Sequence, residues 1–160
     1  MTDPSGTIGF VVIVILYAVI GLLAAGGSVA VSQKLFPGRS EQILYGVFLV
    51  PIAGFYLAFV AYFGNASPWK TELLAAMAFS LLGIFGTRYA AVLILGYLLH
   101  GTWDALHELA AHGGWSVLGH GQLTEIPLAY GVFCAIYDVA IAAYCARRRP
   151  SWEHAPPVRG

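Results

Sequence analysis

Charged side chains are scarce in this sequence, and neither sign of charge predominates. Asp, Glu, Lys and Arg make up 10% of the 160 residues, whereas a soluble domain holds about 25%. Eight basic and eight acidic residues give a net charge of zero, so there is no excess of basic residues of the kind that binds nucleic acid. We therefore expect no nucleic-acid partner and no ordinary soluble domain.

Cysteine is also sparse, and the positions of the two cysteines exclude a disulfide between them and a cysteine-based zinc site. Cys134 and Cys145 fall in one predicted helix. Their separation along that helix is about 16 Å, which is too long for a disulfide between them. The sequence contains no C-x-x-C motif, so a cysteine-based zinc site is excluded as well.

Long apolar runs are what the sequence does contain. Hydrophobic residues make up 59% of the chain. Five runs are long enough to cross a bilayer as helices, at about residues 8–31, 42–63, 71–87, 89–112 and 126–146. No Lys or Arg precedes the first run, so we interpret it as a retained helix rather than a signal peptide. We predict an all-α polytopic membrane protein, a single transmembrane bundle over residues 1–149 followed by a flexible cytoplasmic tail at 150–160.

Basic residues predict the orientation of this five-helix bundle. Five spans place the two termini on opposite sides of the membrane. With a cytoplasmic C-terminus, the outer side holds only Lys70, and the inner side holds Lys34, Arg39, Arg88, Arg147, Arg148, Arg149 and Arg159. Basic residues concentrate on the cytoplasmic side of membrane proteins. We therefore predict an outer N-terminus in a multi-pass protein of the inner (plasma) membrane.

The fourth predicted helix carries an unusual set of ionisable residues. These are His100, Asp104, His107, Glu108 and His112. Ionisable groups inside a membrane are costly and usually mark function. At about 100° per residue, His100, Asp104 and His107 share one narrow face, and Glu108 lies at its edge. His112 lies further round the helix and nearer the outer surface.

A carboxylate on the fifth helix is expected to join this face. Consecutive spans are antiparallel, and counting from the basic residues at the inner boundary places Asp138 within about one turn of His100 in depth. Cys134 shares the face of Asp138. Imidazole and carboxylate ligands suit zinc, iron or manganese, so we predict a divalent metal site made by His100, Asp104, His107 and Asp138.

Other interpretations of the same residues remain open. Without a metal, Asp104, Asp138 and Glu108 could act as catalytic acids and bases, for example in an isoprenoid cyclase or isomerase. Chains of such residues also form proton paths in transporters, or hold helices together in a structural subunit. The inner half of the fourth helix is almost wholly apolar. This favours a site open toward the outer half over a continuous path.

We therefore expect a small membrane enzyme, metal-assisted, that acts on a lipid or isoprenoid-like substrate. A metal-free acid–base enzyme is the first alternative, and a proton-coupled transporter or structural subunit is the next. Membrane lipid and a lipid-like substrate are the expected partners, and an oligomer is compatible with the sequence. The catalytic carboxylates would be Asp104, Asp138 and Glu108.

Two sequence motifs resemble a known family. G-Y-L-L-H-G-T-W-D-A-L-H-E and the later C-A-I-Y-D-V-A-I-A resemble small bacterial integral membrane proteins of unknown function, which carry an L-L-H-x-x-W-D-x-x-H-H helix and then a C-x-x-x-D-P-x-I-A helix. The matching positions are His100, Trp103, Asp104, His107, Cys134, Asp138, Ile141 and Ala142. Glu108 replaces the second His of the pair, and Val139 replaces the Pro. The resemblance implies a membrane protein and no activity; if the second His of the family is a ligand, Glu108 could replace it here.

Overall fold

The chain folds into five helices, the first four joined by short connections and the last two by a longer segment at residues 112–129. The computed structural model describes residues 4–154, with side chains from residue 8 onward. The helices are α1 (Pro4–Leu35), α2 (Arg39–Phe63), α3 (Trp69–Gly86), α4 (Ala90–Ala111) and α5 (Tyr130–Glu153). Residues 4–154 contain no strand, which confirms the predicted all-α class. Four helices, α1, α2, α3 and α5, are long and apolar enough to cross a membrane, whereas α4 carries the ionisable residues and does not meet that criterion.

Helix α1 is apolar on nearly every side and packs through its small residues. The side chain of Leu23 is 70% exposed, as expected for a helix surrounded by lipid. A β-carbon added to Gly21 would lie 2.6 Å from the Phe133 carbonyl oxygen of α5. About two turns further along α1, Ser28 Oγ accepts a hydrogen bond of 3.1 Å from the Tyr137 hydroxyl. The small-residue face therefore lets α1 pack closely against α5.

The bundle is tightly packed except between α1 and α2. Helices α4 and α5 share the largest interface, α2 packs on α3, and α1 packs on α5 while barely contacting α2. The centre is filled by Leu49, Leu93 and Ile141, whose side chains are fully buried. Because α1 and α2 hardly meet, an opening remains between them at the surface of the bundle.

Two glycines allow α4 and α5 to approach closely where their acidic residues lie. A β-carbon on Gly131 would lie 2.4 Å from the Asp104 carbonyl oxygen. On the facing helix, a β-carbon on Gly101 would lie 3.1 Å from the Asp138 β-carbon. A larger residue at either position would therefore push the helices apart. The close approach brings the side chains of Asp104 and Asp138 into the same space.

A buried carboxylate joins three helices at the end of the bundle where α2 begins. Glu41 is fully buried in the first turn of α2. It accepts hydrogen bonds from α1 and α5, donated by Tyr144 (2.5 Å), Ser32 (2.9 Å), Arg148 (3.0 Å) and Trp152 (3.1 Å). The charge of Glu41 is therefore compensated by one ion pair and three neutral donors. We call these five residues the Glu41 cluster.

The Glu41 cluster explains why α5 ends later than the sequence predicted. A flexible tail was expected from residue 150, but α5 continues through Pro150 to Glu153. The helix continues because the indole of Trp152, which is 1% exposed, reaches a buried acceptor on Glu41. The predicted tail beyond His154 lies outside the described residues. At its other end α5 begins at Tyr130, after Ala129 adopts a left-handed backbone conformation with φ 59°.

Candidate functional site

His100, Asp104 and Asp138 form a compact buried group, which we call the triad. His100 Nδ1 lies 2.7 Å from Asp138 Oδ2 and 3.2 Å from Asp104 Oδ2, and none of the three residues is more than 1% exposed. The expected contact between α4 and α5 is therefore confirmed. Only the contact with Asp138 has hydrogen-bond geometry. The contact with Asp104 is longer, at 3.2 Å, and does not have hydrogen-bond geometry.

A tyrosine on α2 completes the surroundings of the triad. The hydroxyl of Tyr56 donates a hydrogen bond to Asp104 Oδ1. Its ring lies 4.1 Å from the His107 ring, centroid to centroid. The sequence did not single out Tyr56, because a tyrosine on an apolar helix is usually a packing residue of the hydrophobic core. One signal was available: Tyr45 and Tyr56 fall on the same face of α2 at about 100° per residue.

Three polar atoms of the triad have no partner among the described residues. They are His100 Nε2, Asp104 Oδ2 and Asp138 Oδ1, all buried. Buried polar atoms are nearly always hydrogen-bonded, so three orphans in one group indicate a place for an ion, a water molecule or a substrate. The triad also offers one nitrogen and two carboxylate oxygens within 4.8 Å of one another. That donor set fits a divalent transition metal.

Asp138 also lines a cavity that opens between α1 and α2. This upper lobe has a volume of about 280 Å³, and its walls include Ile52, Phe55 and Phe133. A lower lobe of about 270 Å³ continues toward Ser32 and Tyr45. The two lobes adjoin, since three residues line both of them: Ser28, Phe48 and Tyr137. We call the two lobes together the α1–α2 groove.

The groove runs along the bundle from Asp138 toward the Glu41 cluster, at the end where α2 begins. Its walls come from α1, α2 and α5, and not from α4. The apolar inner half of α4 predicted a site open toward the outer half of the bundle. That opening stays a prediction, since the groove is formed by other helices.

His107 lies outside the triad and pairs with a residue of α3. Its Nε2 lies 2.8 Å from Glu72 Oε1, and its Nδ1 lies 3.0 Å from the Trp103 carbonyl oxygen. The backbone N–H of Thr124 donates to the same Glu72 oxygen over 2.9 Å. Both ring nitrogens of His107 therefore have protein partners. The structure brings together three of the four predicted metal ligands and places the fourth in a separate pair.

The Glu72–His107 pair joins a carboxylate oxygen to an imidazole nitrogen over 2.8 Å. A carbonyl oxygen can only accept, so the Trp103 contact favours a proton on His107 Nδ1. Glu72 was not selected from the sequence, because an acidic residue at the start of a helix is usually solvated.

The remaining sequence candidates have other surroundings. Both carboxylate oxygens of Glu108 accept backbone N–H bonds of 3.0 Å, from Ala129 and Gly131. Glu108 thus holds the start of α5 and does not face the triad. His112 is exposed and lines an outer cavity of about 340 Å³. Cys134 is a free buried thiol that lines the upper lobe of the groove.

Comparison with known proteins identifies a family but no activity. No curated protein and no solved structure matches this chain. A family of unknown function, DUF6010, matches residues 14–151, a range that includes the triad, the Glu72–His107 pair and all of the Glu41 cluster except Trp152. The expected membership in an uncharacterised family is confirmed at that level. The chain therefore belongs to the family of unknown function DUF6010.

Proposed function

We propose that this protein is an integral membrane enzyme that holds a divalent metal ion at the triad and acts on a lipid or isoprenoid-like substrate. One observation carries the proposal: three unpaired polar atoms, all buried, lie in a group that adjoins a groove open to lipid. Keeping unpaired polar groups in a core is costly, so a purely structural role gives no reason for them. A ligand that binds to these three atoms would explain why they are buried without protein partners.

The proposal includes a membrane crossing by all five helices, with the N-terminus outside. Helix α4 has 22 residues and a length of about 33 Å, enough for a hydrocarbon core of about 30 Å. Its acidic and imidazole side chains are buried in the bundle and do not face lipid. The orientation follows from the basic residues at the inner ends of the helices. The plasma membrane is the proposed location.

Reporter fusions test this topology. A reporter joined after Gly38, or at the C-terminus after Gly160, is expected to score as cytoplasmic, and one joined after Ser67 as external. The reason is the excess of basic residues on the side that carries Gly38. Measurement with paired phosphatase and fluorescent-protein reporters gives opposite signals for the two sides. Opposite scores for Gly38 and Gly160 would rule out five crossings.

The metal is supported by the chemistry of the donor set. One imidazole and two carboxylates match the ligands that zinc, iron and manganese use in catalytic sites with open positions. A bound ion would polarise a substrate or activate a water molecule. Asp138 belongs both to the triad and to the groove, so a substrate in the upper lobe would lie beside one of the three ligand residues. Tyr56 orients Asp104 through its hydrogen bond.

Elemental analysis of the purified protein tests the metal. Wild type, after reconstitution with zinc, iron or manganese, is expected to hold about one ion per chain, and His100→Ala much less, because a three-ligand site loses charge and geometry with one ligand. His112→Ala is the matched control on the same helix and should keep the wild-type content. Wild-type protein that takes up no ion would refute the metal.

A metal-free acid–base enzyme is the second candidate, favoured by a specific contact. His100 and Asp138 already share a hydrogen bond of 2.7 Å, so the proton between them could be donated to a substrate double bond and later recovered. The elemental analysis separates the two candidates. A metal-free wild type whose Asp138→Asn variant folds normally but loses turnover would favour acid–base chemistry.

A further inference from the structure

We propose that the α1–α2 groove holds one acyl chain of an anionic phospholipid, with the headgroup at Lys34 and a mid-chain segment beside Asp138. The proposal names the substrate class of the proposed enzyme and rests on that function for any chemistry at Asp138. Binding of the chain in the groove is independent of that chemistry.

The shape of the groove fits a straight hydrocarbon chain that enters from the bilayer. Its outer walls are formed by Val31, Phe48 and Phe55, which are 54%, 44% and 52% exposed. These side chains would meet lipid, so the groove opens sideways along its length. A diacyl lipid can insert one chain through such an opening and leave the other in the bilayer. The groove is almost entirely apolar apart from a few groups on its floor and ends.

The polar groups of the groove are placed for an amphiphile. Asp138 has an unpaired buried oxygen and lines the upper lobe. At the other end, Gly27, Val31 and Lys34 follow one another at helical spacings of four and three residues, so Lys34 continues the α1 wall beyond the lower lobe. Lys34 is exposed there. In the proposed topology it faces the cytoplasmic leaflet, where anionic lipids are found.

The distance between Asp138 and Lys34 predicts which part of the acyl chain would react. The Ser28–Tyr137 hydrogen bond fixes α1 and α5 at the level of Asp138. From Ser28 to Lys34 the axial rise is about 9 Å, and the lysine side chain extends further toward the headgroup region. A phosphate at Lys34 therefore leaves the ester region below Asp138 and a mid-chain segment beside it. The structure favours a substrate that is modified within its chain and not at its headgroup.

Two adjacent glycines provide a matched test of occupancy. A β-carbon at Gly26 or at Gly27 meets no atom within 4 Å, so a side chain can begin at either position without a clash. Gly27 lines the lower lobe, and Gly26 lines neither lobe. Gly27→Phe should fill the groove, whereas Gly26→Phe adds the same side chain elsewhere on α1. Val31→Trp, at an exposed position of the lower lobe, provides a second filling variant should Gly27→Phe fail to fold.

The full chain in nanodiscs is labelled with phosphatidylglycerol that carries a mid-chain diazirine, and the cross-linked peptides are identified by mass spectrometry. Wild type should be labelled around Ser28 and around Tyr137–Asp138. Gly27→Phe should lower this labelling at least about fivefold, because a filled groove leaves no space for a chain. Gly26→Phe should leave it unchanged. A phosphatidylcholine probe should label wild type less, and Lys34→Gln should remove that difference between headgroups.

Several outcomes would overturn the inference. These are equal labelling of Gly27→Phe and Gly26→Phe, labels spread evenly over the lipid-facing sides of the helices, and displacement of the probe by a free fatty acid but not by phosphatidylglycerol. Asp138→Asn should lose the metal and keep the labelling of the groove, which separates this inference from the proposed function. Intact labelling in a wild-type protein that binds no metal and has no turnover would refute the proposed enzyme and retain the lipid site. Metal uptake without labelling of the groove would refute the lipid site and retain the metal site of the proposed enzyme.

Discussion

Replacement of Glu41 by alanine is expected to lower the free energy of unfolding by about 3–5 kcal/mol, because it leaves the buried donors of Ser32, Tyr144 and Trp152 without their acceptor, each at a cost of about 1–3 kcal/mol. The carboxylate accepts four hydrogen bonds from α1 and α5 and is fully buried. Without it, the guanidinium of Arg148 loses its counter-charge, and the indole of Trp152 remains buried without an acceptor. No other acceptor in the Glu41 cluster carries a negative charge.

Unfolding in mixed micelles with increasing dodecyl sulfate, followed by circular dichroism, measures this loss. Glu153→Ala is the control, since Glu153 forms a 2.7 Å ion pair with Arg149 near the same end of α5. Both side chains of that pair are about half exposed, so its removal should cost less than about 1 kcal/mol. Equal effects of the two substitutions would mean that the Glu41 cluster contributes no more than a surface ion pair.

The Glu41 cluster also illustrates which parts of the fold could be predicted from the sequence. Long apolar runs predict helices because a bilayer requires internally hydrogen-bonded segments, and all five were found with boundaries a few residues from those expected. The late end of α5 could not be predicted from local sequence. Pro150 and the charged residues before it are typical of a helix end, and only the distant Glu41 makes burial of Trp152 favourable.

Contacts between the site residues could be predicted from the sequence as far as depth in the membrane and helix face determine them. Consecutive antiparallel helices must place residues of equal depth side by side, and this argument predicted the contact of His100 with Asp138. Periodicity does not identify which helix faces a given residue. His107 shares the face of His100 but lies two turns further along α4, where its neighbour is the first turn of α3. Glu72 therefore pairs with His107 and not with the triad.

Tyr56 and Glu108 were misjudged for a related reason. Their roles depend on backbone and side-chain partners from other parts of the chain. Tyr56 reaches Asp104 because α2 packs beside α4, and Glu108 binds backbone N–H groups that become available only where α5 starts. A carboxylate at a helix N-terminus is stabilised by these donors and by the helix dipole. The sequence shows the carboxylate but not the donors.

The Glu72–His107 pair leads to a prediction that decides how many residues form the metal site. Glu72→Gln is expected to lower the free energy of unfolding by about 1–3 kcal/mol, the cost of an unsatisfied buried group. One Glu72 oxygen serves both His107 and the Thr124 N–H. A glutamine oxygen at that position satisfies Thr124 but not a neutral His107, and a glutamine amide nitrogen satisfies His107 but not Thr124. Neither orientation replaces the carboxylate.

The metal content of the same variant separates a three-ligand site from the four-ligand site predicted by the sequence. Glu72→Gln and His107→Gln should each retain the wild-type metal content at a temperature where they remain folded, because the His107 nitrogens are bound to Glu72 and Trp103 and not directed at the triad. Asp138→Asn should lose the metal while its stability changes little, because the amide keeps a hydrogen-bonding group and such contacts average about 0.6 kcal/mol in membrane bundles. Loss of metal in folded His107→Gln would instead mean that the imidazole leaves Glu72 when an ion binds, and would restore the four-ligand site.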